Sequence, residues 1–204
     1  MSQIEAVIFD CDGVLFESRQ ANLAYYNRIL GEFSYPPVVT EQKELAQMCH
    51  TASSKVVLAN LLRHEDVTPA LNFSATLDYR EFIPQMEPES NLTELLQHLT
   101  DRYPLAIATN RGKSILAILE YFDLHDYFSA VVTSHDVEHP KPAPDMLFLA
   151  AETLNIKPEK CLFIGDSELD KLAAYEANMQ FAGYGSGVSG MISISNHLEL
   201  LSYL

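Results

Sequence analysis

Apolar positions along the chain follow two patterns. Short continuous runs read as strands buried on both faces: Ala6-Val7-Ile8-Phe9, Leu105-Ala106-Ile107-Ala108, Ala130-Val131-Val132, Cys161-Leu162-Phe163-Ile164 and the weaker Met179-Gln180-Phe181-Ala182. Between the later runs the apolar residues recur at helical spacing, over 112–121, 143–155 and 167–177. Leu92, Leu95, Leu96 and Leu99 share one face of a further helix predicted between Pro88 and Asp101. Strand-helix-strand repetition with continuous apolar strands predicts an α/β fold, a doubly wound parallel sheet covered by helices on both faces.

The first strand breaks this rhythm. About seventy residues after Gly13 carry no strand signal and show helical periodicity, most clearly over Ala21 to Leu30 and Lys43 to Leu62. Pro84 and Pro88 bracket the return to alternation. The economical organisation is an α/β core of residues 1–16 and 86–204 with a helical insert of residues 17–85 after the first strand.

Composition narrows the partners. The chain has 204 residues, 48% of them hydrophobic, as in a soluble globular protein. Acidic residues outnumber basic ones 28 to 13, a formal charge of −15. Such a field repels nucleic-acid backbones and anionic lipid, so neither nucleic acid nor a membrane is an expected partner. Any anionic substrate then needs a local cation. Cys11, Cys49 and Cys161 are odd in number and lack CxxC spacing, as expected of reduced thiols in a cytoplasmic protein. The start, Met1-Ser2-Gln3-Ile4-Glu5, lacks a basic n-region, so no signal peptide is expected.

In open parallel sheets ligands bind at the carboxyl ends of the strands. Polar residues just beyond each strand are therefore the candidate site residues: Asp10 and Asp12, then Thr109 and Asn110, then Lys141, then Asp166 and Asp170. Asp10-Cys11-Asp12-Gly13-Val14 sets two carboxylates two positions apart before a glycine; a plain polar turn has the same ingredients. In Gly165-Asp166-Ser167-Glu168-Leu169-Asp170 the acids sit where a helix N-terminus favours them, and Asp166 and Asp170 are four apart. With Asp10 and Asp12 nearby, so many negative charges call for a cation, and an all-oxygen set suits Mg²⁺. Pro140-Lys141-Pro142 limits where the lysine can point.

Together, Asp10-x-Asp12-Gly13-Val14, Thr109-Asn110, Lys141-Pro142 and Gly165-Asp166-Ser167-x-x-Asp170 resemble the four motifs of the haloacid dehalogenase superfamily, most of all its phosphoglycolate phosphatase and β-phosphoglucomutase branch. The resemblance implies a Rossmann-like core with the helical insert as a cap. It implies a Mg²⁺-dependent phosphatase acting on a small phosphorylated metabolite, phosphoglycolate-like or a sugar phosphate. In that scheme Asp10 attacks phosphorus to form an aspartyl-phosphate, and Asp12 protonates the leaving alcohol and later accepts a proton from water. The metal is held by Asp10, Asp166 and the backbone carbonyl of Asp12, with Asp170 in support. The Thr109 hydroxyl, the Asn110 backbone N–H and the Lys141 ammonium bind the phosphoryl oxygens. Dehalogenases carry D-x-Y-G-T and phosphonoacetaldehyde hydrolases D-x-A-G-T with a cap lysine. Aspartate at position 12 is thus the phosphate-transfer version, and Lys55 is expected to be a surface residue. Glu17-Ser18 departs from the Asp-Ser common after the first motif.

A mutase of the β-phosphoglucomutase kind shares every core residue, and a non-catalytic scaffold would be expected to have lost one of them. Arg19, Arg28, Lys43, Lys55, Arg63 and Arg80 in the insert, and Arg111 and Lys113 beside the second motif, are candidates for gripping an anion. Gly185-Ser186-Gly187-Val188-Ser189-Gly190 matches G-x-G-x-x-G, but too little chain comes after it for a dinucleotide unit, so it reads as a flexible loop. His135 and His139 have zinc-like spacing without a helix to carry it. Either a monomer or a homodimer is compatible with these features.

Overall fold

The computed structural model describes residues 3–204; Met1 and Ser2, with their share of the N-terminal expectation, lie outside the described residues. The chain divides into two compact units, Met1–Glu17 with Pro88–Leu204, and Ser18–Glu87.

The first unit is built on a six-stranded sheet of β1 (Ala6–Phe9), β2 (Leu105–Thr109), β3 (Ala130–Thr133), β4 (Cys161–Gly165), β5 (Gln180–Tyr184) and β6 (Ile192–Ile194). The strands lie in the order β3-β2-β1-β4-β5-β6, each pair parallel. Phe9 stands opposite Ile107 on one side and Ile164 on the other, so the carboxyl ends of the three central strands are level. The chain winds outward from β1 through β2 to β3, then returns across β1 to begin β4. The reversal opens a crevice between the ends of β1 and β4, where such sheets take ligands.

Alternation within each strand sorts its side chains onto two faces. Ile8, Ala106, Ala108, Val132, Phe163 and Phe181 face one way, in a single buried cluster with residues of the helices Asp145–Leu154 and Glu168–Glu176. Small residues at Ala150, Ala151, Ala173 and Ala174 let these helices approach the sheet closely. The helix Leu92–Thr100 buries the expected stripe of Leu92, Leu95, Leu96 and Leu99. Each such leucine contributes about 1.5–3 kcal/mol by leaving water.

Two features of this unit differ from expectation. β6 has no counterpart among the strands the apolar runs predict: three residues at a sheet edge, alternating buried, exposed, buried, are too few for a periodicity to register. The glycine-rich stretch before it is exposed at Gly185, Ser186, Gly187 and Ser189 as a loop would be, but it is tightly packed at Val188 and Gly190. A Cβ on Gly183 would come within 2.5 Å of the Val188 carbonyl oxygen, and one on Gly187 within 2.9 Å of the Asp166 carbonyl oxygen.

The second unit is helical: Arg19–Glu32, Lys43–Thr51, Ser54–Leu61 and His64–Ser74, then two short turns at Tyr79–Glu81 and Ile83–Gln85. The single helical stretch expected over Lys43 to Leu62 is broken at Ala52 and Ser53, both in extended backbone. Thr51 closes the first piece by donating its hydroxyl to the Gln47 carbonyl, a local bond that competes with helix continuation. Leu23, Tyr26, Ile29, Leu30, Val57 and Leu58 form this unit's core. Tyr25, Tyr79 and Phe82 pack ring on ring, and Tyr79 donates to Asn22 Oδ1 at 2.9 Å. Lys55 is exposed, as expected.

The first unit also buries a histidine completely. His197 lies against the Tyr184 ring at 4.7 Å between centroids, with Nδ1 3.2 Å from the Ser90 carbonyl oxygen. Burial lowers its pKa from 6.5 to about 4, against the opposing pull of backbone bonds to Ser90 and Val14. The unfolded chain therefore takes up this proton first as pH falls. Stability contributed by the neutral ring is full above about 6.5 and is lost as pH drops toward about 4, a span worth about 3 kcal/mol. Urea unfolding of His197→Gln at pH 7 and pH 4.5 is expected to show a clearly shallower loss of stability than the parent. Equal slopes would refute this assignment.

Candidate active site

The first aspartate extends the central ladder by one residue: the Asp10 N–H donates to the Ile164 carbonyl at 2.8 Å. Beyond it the chain turns sharply. The N–H groups of Leu15 and Phe16 return to the Cys11 carbonyl, and Gly13 adopts φ +75°, a region that glycine enters without steric cost. This turn is the structural reason for a glycine directly after Asp12.

Lys141 is buried among the acids. Its Nζ lies 2.8 Å from Asp10 Oδ1 and 2.6 Å from Asp170 Oδ1, and donates to the Ala108 carbonyl at 3.0 Å. The segment that carries it is held to the second strand end, since Asn110 Nδ2 donates to the Lys141 carbonyl at 3.1 Å. Thr109, 1% exposed, accepts the Arg111 N–H on its hydroxyl oxygen at 3.1 Å, which leaves the hydroxyl proton for another acceptor.

After β4, Ser167 and Asp170 form a reciprocal capping box at the start of the helix Glu168–Glu176. Asp170 Oδ2 accepts from both the backbone N–H and the hydroxyl of Ser167, while its Oδ1 takes Lys141. Helix capping and a place in the acidic cluster are thus the same arrangement. A Cβ on Gly165 would fall 2.3 Å from that of Asp170, so the glycine is what lets the helix start so close to the strand.

Carboxylate oxygens of Asp10, Asp166 and Asp170 lie within 4.8 Å of one another. The Asp12 carboxylate turns elsewhere, to Arg111 Nη2 at 2.5 Å. Arg111, read from sequence as a recruiter of phosphate, is buried and already engaged with a carboxylate; Lys113 is exposed. The position of Arg111 directly after Thr109-Asn110 at a strand end is a signal for a site residue, but the choice of Asp12 as its partner is a tertiary fact.

Four carboxylates here face two basic side chains, an excess of two negative charges. Burial raises the Asp10 pKa well above the usual carboxylate range; Lys141 opposes this, and Asp170, Asp12 and Asp166 add to it. For Lys141 the desolvation penalty is outweighed by Asp10 and Asp170, which hold its ammonium charged. Hard oxygen donors with two surplus charges fit a divalent cation such as Mg²⁺, which would also draw the Asp10 carboxyl back toward its ionised form. Cys11, fully buried, has its thiol pKa pushed well up by burial and is no candidate nucleophile.

All seven residues expected at the site belong to the first unit, at the carboxyl ends of its strands or in the segments just after them.

The chain is similar to known proteins in sequence and in fold. A model of the family described as haloacid dehalogenase-like hydrolase matches residues 7–184. Phosphoglycolate phosphatase of Escherichia coli O157:H7 is 29% identical, covering 94% of this chain and 86% of that protein. Fructose-1-phosphate phosphatase of Escherichia coli K12 is 26% identical over 85% of this chain and 92% of its own length. Among solved structures, a haloacid dehalogenase superfamily hydrolase of subfamily IA from Geobacter sulfurreducens superposes with a TM-score of 0.87 at 37% identity, covering 98% of this chain and all of that one. A β-phosphoglucomutase from Clostridium difficile shares the fold, with a TM-score of 0.85 at 18% identity, covering 98% of this chain and 95% of that one. With the family model covering most of its length and the strand-end acids gathered around one lysine, this chain belongs to the haloacid dehalogenase-like hydrolases.

Proposed function

We propose that this chain is a Mg²⁺-dependent phosphoric monoester hydrolase acting on a small phosphorylated metabolite, phosphoglycolate-like or a sugar phosphate. The observation that carries the reading is the convergence of Asp10 and Asp170 on the buried Lys141 ammonium, with Asp166 completing the acidic cluster. The names of the relatives support a phosphomonoester as substrate.

In the first step Asp10 attacks phosphorus, forming an aspartyl-phosphate as the ester P–O bond breaks. Asp12 delivers its proton to the departing alkoxide, then accepts one from the water that attacks the intermediate. Phosphate leaves and Asp10 is regenerated. The Lys141 ammonium, the Thr109 hydroxyl and the Asn110 backbone N–H stabilise charge on the phosphoryl oxygens. Asp10, Asp166 and the Asp12 backbone carbonyl are the groups that would hold Mg²⁺. When bound, the ion neutralises phosphoryl charge that would otherwise repel the acids. Asp170, with both oxygens committed to Lys141 and Ser167, supports this set by orienting the lysine.

The helical insert, residues 17–85, serves as the cap that selects the substrate, consistent with water exclusion over a small ligand. Among the described residues no helix is long and apolar enough to cross a membrane. Three free, buried cysteines support a cytoplasmic location, where thiols stay reduced.

Phosphate release from 4-nitrophenyl phosphate tests the reading, followed by a panel of phosphoglycolate and sugar phosphates. Chelation with EDTA is expected to cut turnover at least roughly 100-fold, with recovery on adding Mg²⁺. Turnover indifferent to chelation would remove the metal from the proposal. Absence of phosphate release across the panel, with isomer formation from a sugar phosphate, would replace the phosphatase with a mutase.

A further inference from the structure

We infer that Gly187 is a positioning residue for Asp166: the loop after β5 seats its backbone against the Asp166 carbonyl and so fixes where that carboxylate stands for Mg²⁺; this rests on the Mg²⁺-dependent reading above. A Cβ on Gly187 would stand 2.9 Å from the Asp166 carbonyl oxygen, where ordinary contact begins near 3.4 Å. The glycine is not required by its own backbone. Between residues 185 and 190 only Gly185 has a positive φ, +71°, and Gly187 is exposed. A larger residue would suit both the turn and the solvent, so the close approach to Asp166 is what the missing side chain serves.

Neither side of this contact yields freely. On the loop side, the Gly185 N–H donates to the Ile194 carbonyl at 2.8 Å, and Val188 is buried in the core cluster with Phe163 and Phe181. Gly187 is thus held from two residues before it and from the residue directly after. On the other side, Asp166 stands between two residues that are fixed by Asp170. Gly165 leaves the space that the Asp170 side chain fills, and the N–H and hydroxyl of Ser167 both go to Asp170 Oδ2. A side chain at position 187 would fall short of ordinary contact by about 0.5 Å, as much as a functional constellation tolerates. With the peptides around it pinned, that displacement passes to the Asp166 carboxylate, which shares the cluster with Asp10 and Asp170. Mg²⁺ demands near-ideal octahedral geometry at about 2.0–2.1 Å, whereas Ca²⁺ accepts flexible coordination at about 2.3–2.6 Å. A ligand moved by this much is costly to the first ion and tolerable to the second.

Metal binding in the absence of substrate tests this. Mg²⁺ and Ca²⁺ are titrated separately into the purified protein, and each Kd is read from the rise in Tm that the ion gives. Gly187→Ala is expected to raise the Kd for Mg²⁺ roughly tenfold or more, the usual loss when a metal ligand's outer support is disturbed, while the Kd for Ca²⁺ rises less than about threefold. Gly185→Ala strains the same loop through its positive φ, but the added carbon meets nothing within 4 Å, so it is expected to keep the parent's ratio of the two constants. Because position 187 is exposed, the Tm of Gly187→Ala in EDTA should stay close to the parent's. An unchanged Mg²⁺ constant, equal weakening of both ions, the same change of ratio in Gly185→Ala, or a Gly187→Ala protein that does not fold would overturn the inference. Absence of Mg²⁺ binding by the parent protein would strike the metal-dependent reading itself, and this inference with it.

Discussion

Asp10→Asn is expected to lower turnover by at least roughly 10⁴-fold while leaving a folded protein of equal or greater stability. The first half follows from chemistry: an amide is no nucleophile toward phosphorus, and the remaining groups only bind and orient. The second half follows from electrostatics. Burial and three neighbouring acids raise the Asp10 pKa in the folded state above its unfolded value. A group shifted that way stabilises the fold when protonated, and that stability is lost as pH rises through its folded pKa. At neutral pH the ionised carboxylate is therefore an unfavourable occupant, and neutral, isosteric asparagine relieves it. Lys141 keeps Asp170 as a partner in the variant. Thermal unfolding at pH 7.5 in EDTA should give a Tm at or above the parent's. A Tm well below it, or residual turnover within a hundredfold, would remove Asp10 from the nucleophile's place.

Such opposition between stability and activity is common where charge is concentrated for chemistry. It also bears on which parts of this protein are legible in the sequence. Strands β1, β2 and β4 are buried on both faces and announce themselves as unbroken apolar runs. Their carboxyl ends can therefore be placed from the pattern alone, and the polar residues beyond them fall at one sheet edge by topology. Whether side chains meet there is another matter. That Asp170 gives one oxygen to Lys141 and the other to Ser167 depends on Gly165 admitting the helix start, a contact no spacing rule reports. The Arg111–Asp12 pair joins residues ninety-nine positions apart, and only the parallel pairing of β1 with β2 makes them neighbours.

The parts that are not legible have causes of their own. β6 is short and at an edge, so its alternation lacks the length to stand out. The helix His64–Ser74 contains Pro69, a residue that argues against a helix until tertiary burial of its apolar face outweighs the lost hydrogen bond. The break at Ala52 and Ser53 sits inside a stretch whose apolar periodicity continues on either side, so a period count alone runs through it. Only in the proline-bearing helix do local preference and tertiary packing pull apart, with the packing deciding; the other two turn on strand length and on the local Thr51 bond.

Lys141→Met is expected to reduce kcat/KM roughly 10²–10³-fold, the usual loss for a buried donor to developing charge. It is also expected to destabilise the metal-free protein by about 3–5 kcal/mol at pH 7.5, because two buried carboxylates lose their cation. That second effect has a distinctive dependence. With the ammonium gone, the folded-state pKa of Asp10 rises further above its unfolded value, so the penalty shrinks as pH falls and the carboxyl takes up a proton. Mg²⁺ should narrow the gap as well, by supplying positive charge to the same oxygens, and the variant's Tm should rise more steeply with Mg²⁺ than the parent's. Methionine fills similar volume without charge, so packing loss alone predicts a deficit that neither pH nor metal alters. Unfolding in EDTA at pH 7.5 and 5.5, then with Mg²⁺ at pH 7.5, distinguishes the two. A constant deficit would mean that Lys141 acts in stability mainly through its contacts with Ala108 and Phe163, and that the acids of this cluster do not depend on it for their charge.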